Sequence, residues 1–127
     1  MTSFLADTTV LVEHLRGNNL AKSFLEKNNA IISSVTKAEL VQGSRNKTDL
    51  KIVKTLCNSF VEAPINEKIT KLAISLLEKH YLSHGLLFLD ALIAATALER
   101  NLTLITGNTK HFTFIPKLLL KDWSSLS

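Results

Sequence analysis

Apolar residues along this chain come in two alternating patterns. Short dense runs read as strands: "SFLAD", "NAIISS", "FVEAP", "LTLIT" and "LLLKD", with "HFTFIP" between the last two. Longer stretches with helical spacing separate them. "TVLVEHLRG" predicts a helix closed by Gly17, "LAKSFLEKN" a second short one, and "VTKAELVQGS" a third ending near Gly43. "TDLKIVKTLCNS" and the lysine before it set Leu50, Val53 and Cys57 on one face and Lys47, Lys51 and Lys54 on another. "NEKITKLAISLLEKH" and the isoleucine before it set Ile65, Ile69, Leu72 and Leu76 at helical spacing, and "LDALIAATALERN" is apolar almost all round. The order β-α-α-β-α-α-β-α-α-β-β predicts an α/β fold: a parallel sheet of about four to five strands with helices on both faces.

Composition adds bounds. At 127 residues the chain is expected to be one domain spanning 1–127, and 46% hydrophobic residues supply a core. The only cysteine, Cys57, cannot form an internal disulfide. Asp7 and Glu13 interrupt the N-terminal apolar stretch, so no secretory signal is visible, and no apolar run approaches the ~18 residues of a membrane span. A soluble cytoplasmic protein is expected. The net charge of +4 permits an anionic partner without requiring one.

The charged residues become informative where they break the apolar runs. Asp7 stands between Phe4–Ala6 and Val10–Val12, and a carboxylate rarely goes inside unpaired. Glu39 follows the second strand, Asp90 opens the buried helix, and Asn108 follows the fourth strand. In a parallel sheet these positions share the carboxyl edge, where ligands bind. Oxygen ligands of this kind suit Mg²⁺, which activates water and neutralises phosphate charge. Each residue also has a local role open to it. Asp7 could cap a helix, Glu39 could close a capping box with Thr36, Asp90 could favour its helix dipole, and Asn108 could serve a turn.

Taken together, the segments "FLADTTVLVEHLRG", "ISSVTKAELVQGS" and "LLFLDALIAATALERNLTLITGNTKHF" resemble the motifs of PIN-domain ribonucleases, especially the VapC-like toxins of toxin–antitoxin pairs. The resemblance covers nearly the whole chain. It implies that Asp7, Glu39 and Asp90 hold Mg²⁺ or Mn²⁺ (Glu39 through water or directly) and support hydrolysis of an RNA phosphodiester. Asn108 matches the fourth acidic position, and Thr106 the hydroxyl of the last motif. The resemblance also implies a homodimer, a VapB-like antitoxin in the active-site groove, and structured RNA such as tRNA as substrate.

Two departures stand out. Thr9 replaces the asparagine of the usual Asp-Thr-Asn motif, and Asn108 lacks a charge, which favours one metal over two. Arg16, Lys37, Lys47, Lys51 and Lys54 are candidate phosphate contacts. His84 and His111 read as surface or loop residues. A haloacid dehalogenase-like phosphatase would need a second aspartate where Thr9 stands, and a phospho-receiver domain would need an acidic pair near Asp7. A PIN fold that only binds RNA or protein is the remaining alternative, and three intact carboxylates speak against it.

Overall fold

The computed structural model describes residues 3–126, with side chains through Ser124; Met1, Thr2 and Ser127 of the expected domain lie outside the described residues. Five strands, β1 (Phe4–Ala6), β2 (Ile31–Ser33), β3 (Val61–Ala63), β4 (Thr103–Thr106) and β5 (Leu120–Asp122), form one sheet in the order β3-β2-β1-β4-β5. Every pairing is parallel. The helices are α1 (Thr8–Leu15), α2 (Asn19–Lys27), α3 (Ser34–Gln42), α4 (Lys47–Asn58), α5 (Glu67–His84) and α6 (Phe88–Glu99). The expected alternation is therefore observed. "HFTFIP" forms no strand, and a 3₁₀ turn over Thr109–His111 leads into it.

The period-two alternation of the strands explains the two layers of helices. Leu5 and Leu104, paired across β1 and β4, belong to a core with Ile69, Ala73, Leu92 and Ile93 from α5 and α6. Their neighbours Ala6 and Ile105, also paired, belong to a second core with Val10, Leu11, Phe24 and Val53 from α1, α2 and α4. Residues 91–97 of α6 are all buried. Five of those seven positions are alanine or threonine, small enough to let α5 and the sheet approach closely. Shortening Ile93 there to alanine should cost about 2–5 kcal/mol.

Helix starts follow the cap chemistry. The side chains of Asn18, Ser33, Asn46 and Asn66 accept backbone N–H groups at the starts of α2, α3, α4 and α5. Asn66 therefore starts α5 after Ile65. Ile65 falls outside the helix and is exposed, unlike Ile69 and Leu76 of the same apolar spacing. Two helices lack a side-chain cap: α1, preceded by Asp7, and α6, preceded by Leu87.

The chain order positions the site. From β1 the chain moves to β2 and β3 on one side, then crosses to β4 and β5 on the other. The reversal falls between β1 and β4. In an open parallel sheet a crevice forms there, beyond the carboxyl ends of the strands.

Candidate active site

Asp7 is the residue after β1 and is almost wholly buried. Its backbone N–H donates to the Ile105 carbonyl at 2.8 Å, which fixes it at the β1–β4 junction. Its side chain does not cap α1. Instead, Oδ2 accepts from Thr106 Oγ1 at 2.7 Å and from Thr9 Oγ1 at 3.0 Å. Each hydroxyl in turn accepts a backbone N–H, from Asn108 at 3.0 Å and from Gly107 at 2.9 Å. A hydroxyl has one proton to give. With a lone pair of each occupied by an amide, both protons are directed at the carboxylate. Oδ1 has no hydrogen-bond partner among the described residues.

Glu39 lies on α3. The cap of that helix is Ser33, so Glu39 is not the acid of a capping box with Thr36. It faces α1, where Thr8 Oγ1 donates to its Oε1 at 2.7 Å; Thr36 Oγ1 stands 3.1 Å from the same Thr8 hydroxyl.

Asp90 is in the first turn of α6. Burial holds its carboxyl above the usual range, and the charges of Asp7 and Glu39 add to this, while His111 acts in the opposite direction. His111 Nδ1 lies 3.4 Å from Asp90 Oδ2, and the Asn108 amide nitrogen lies 3.1 Å from His111 Nε2.

These side chains line one open cleft of about 640 Å³. Asp7, Glu39, Asp90 and Asn108 all reach it, as do Thr8, Thr9, Glu13, Arg16 and His111, and Leu87–Leu89 form an apolar lip. Arg16 Nη1 lies 3.4 Å from Glu13 Oε1 and is well exposed. The other basic candidates sit elsewhere. Lys37 pairs with Glu62 of β3 at 3.2 Å, and Lys47, Lys51 and Lys54 line a shallow depression along α4. His84 stacks on Phe114 with ring centroids 4.2 Å apart.

Sequence reasoning passed over three cleft residues. Thr8 looked like a neighbour of Asp7 and serves Glu39 instead. Glu13 carries the signal of an i+6 acid on α1, and His111 sits three residues after Asn108, which one helical turn brings beside it.

The donor set suits a hard cation: three carboxylates and an amide oxygen, with Asp7 Oδ1 uncommitted. Among the described residues no three His, Cys, Asp or Glu side chains stand close enough to grip an ion unaided. Mg²⁺ retains several waters and needs only one or two carboxylates, so Asp7 and Asp90, with Glu39 through water, fit it.

A parallel sheet that presents carboxylates at its reversal point defines an α/β domain with an acidic cleft. The PIN domain matches residues 4–116 of this sequence. The chain belongs to the PIN-domain family, with VapC proteins among its relatives. It is 36% identical over 119 residues to ribonuclease VapC10 of Mycobacterium tuberculosis, covering 90% of this chain and 89% of that one. It is 33% identical over 120 residues to ribonuclease VapC19 of the same organism, covering 90% and 95%. Among solved structures, a toxin–antitoxin complex from Klebsiella pneumoniae superposes with a TM-score of 0.80 at 29% identity, covering 95% of this chain and 98% of that one. No helix among the described residues is long and apolar enough to cross a membrane.

Proposed function

We propose that this chain is a metal-dependent endoribonuclease and the toxin of a toxin–antitoxin pair. The observation that carries the reading is the grouping of Asp7, Glu39 and Asp90 in one open cleft of a PIN-domain sheet. The ribonuclease names of its relatives and the toxin–antitoxin complex among its structural neighbours support the same reading.

Asp7 and Asp90 would hold Mg²⁺, with Mn²⁺ as a substitute, and Glu39 would complete the site directly or through water. The bound ion supplies polarisation of the attacking water and neutralises charge developing on the phosphate. Glu39, fixed by Thr8, orients that water. Asn108 offers an amide where a fourth acid would add charge, which suits one ion. Arg16 at the cleft rim takes a substrate phosphate, and Lys37, Lys47, Lys51 and Lys54 extend the phosphate contacts over α3 and α4.

The substrate is structured RNA such as tRNA, whose exposed loops a cleft of this size admits. A VapB-like antitoxin neutralises the enzyme by occupying the groove, and the apolar lip at Leu87–Leu89 gives it an apolar surface to cover. The chain acts as a homodimer in the cytoplasm, joined by antitoxin into a larger complex.

Growth tests this directly. Expressing the chain alone should arrest cells, co-expressing the antitoxin encoded beside it should restore growth, and sequencing new RNA ends should identify the cut site. Harmless expression of the folded protein would contradict the toxin reading.

A further inference from the structure

Two adjacent threonines at the start of α1 each hold a different carboxylate. Thr8 Oγ1 donates to Glu39 Oε1 at 2.7 Å, and Thr9 Oγ1 donates to Asp7 Oδ2 at 3.0 Å. Consecutive residues on a helix point about 100° apart, so one helical turn reaches both the end of β1 and the face of α3. The first two carboxylates of the cleft are thus referenced to one rigid element.

We propose that Thr8 and Thr9 are positioning residues that set the separation of Glu39 and Asp7, and that Thr9 ties this setting to the C-terminal segment. The proposal rests on the metal-dependent reading of the cleft. Thr9 stands where the family motif usually has asparagine, and its hydroxyl has a specific environment here. It accepts the Gly107 N–H at 2.9 Å, which orients its proton toward Asp7.

Gly107 is held in turn. A Cβ at that position would lie 3.1 Å from Trp123 Nε1, 3.4 Å from Trp123 Cδ1 and 3.5 Å from Thr9 Oγ1. The backbone therefore runs directly under the Trp123 indole, which itself packs against the core shared by β1, α1 and α2. Trp123 braces Gly107, the Gly107 amide orients Thr9, and Thr9 fixes Asp7. A side chain just after β5 thus supports the carboxylate just after β1.

An alternative role for the two threonines is purely structural, as β-branched residues packed at a helix start. Isosteric substitution separates the two roles. Thr8→Val and Thr9→Val keep the shape and remove only the hydroxyl, whereas Thr8→Ser and Thr9→Ser keep the hydroxyl. The probe is MnCl₂ alone, titrated into purified full-length protein and read by electron paramagnetic resonance of free Mn²⁺, with cleavage measured separately. Removing a group that orients a metal ligand typically weakens binding roughly 10–100-fold.

Each valine variant should weaken Mn²⁺ binding by that factor and lower kcat while leaving KM for RNA near the wild-type value. Each serine variant should restore binding. Trp123→Leu should weaken Mn²⁺ in the same direction, and by less than Thr9→Val. Wild-type Mn²⁺ affinity in both valine variants would overturn the proposal, as would serine variants as weak as the valine ones. Wild-type protein that binds Mn²⁺ but cuts no RNA would instead contradict the ribonuclease reading, with the affinities of the variants still deciding the positioning role.

Discussion

Thr106 Oγ1 donates to Asp7 Oδ2 at 2.7 Å, a bond between residues 99 positions apart that closes the end of β4 onto the end of β1. Both residues are buried, so the bond is made away from competing water. Thr106→Val removes that donor and also the acceptor of the Asn108 N–H. The expected cost is about 1–3 kcal/mol, the usual penalty for buried polar groups left unpaired. Thermal melts in EDTA check it. An unchanged melting temperature would mean that the bond contributes nothing to the fold.

Asp90 gives a prediction of opposite sign. Its folded-state pKa is raised above 3.8, first by burial and then by the neighbouring charge of Asp7. An acid with a raised folded pKa binds its proton more tightly in the fold than in the unfolded chain. Its ionisation therefore destabilises the metal-free protein as pH rises through 3.8, and the penalty levels off above the folded pKa. Asp90→Asn should keep or raise the melting temperature in EDTA at neutral pH. It should also shrink the stabilisation that added Mg²⁺ gives by binding the folded state. If Asp90 served only the helix dipole, the change would instead lose roughly 0.3–1 kcal/mol and leave the Mg²⁺ response intact.

Arg16 is the basic candidate that reaches the cleft. Its partner Glu13 is 3.4 Å away, and such an exposed pair is weak enough to yield to a phosphate. Arg16→Ala should weaken binding of every RNA tested by a similar factor and reduce the salt slope of log Kd by about one. Binding measured across a salt series reads both quantities. A changed preference among RNAs with an unchanged slope would assign Arg16 to base contact instead.

Much of the architecture was legible because strand and helix periods differ so plainly in this sequence. "LTLIT" and "LDALIAATALERN" carry almost no competing signal, and both elements form where the pattern puts them. Boundaries were less legible. Ile65 continues the apolar spacing of α5, yet the Asn66 cap starts the helix after it, because capping is a local hydrogen bond that periodicity does not register. In the cleft, the acids showed as charges inside apolar runs. Of the groups that hold them, Thr106 showed only through the family resemblance, and Thr8 did not show. Thr8 and Thr106 are ordinary residues for a helix and a strand, and their partners lie 31 and 99 positions away. His111 was read as a loop residue for the same reason: only the turn after β4 brings it to Asp90.

Cleavage of RNA by the purified protein, with and without a divalent cation, tests the central claim most directly. Cleavage should appear with Mg²⁺ or Mn²⁺, vanish in EDTA and return when the cation is restored. Asp7→Ala and Asp90→Ala should abolish it, while Asn108→Ala, which removes no charge, should cost roughly tenfold, as loss of a supporting group does. Undiminished cleavage in EDTA, or a greater loss from Asn108→Ala than from either aspartate, would contradict the account.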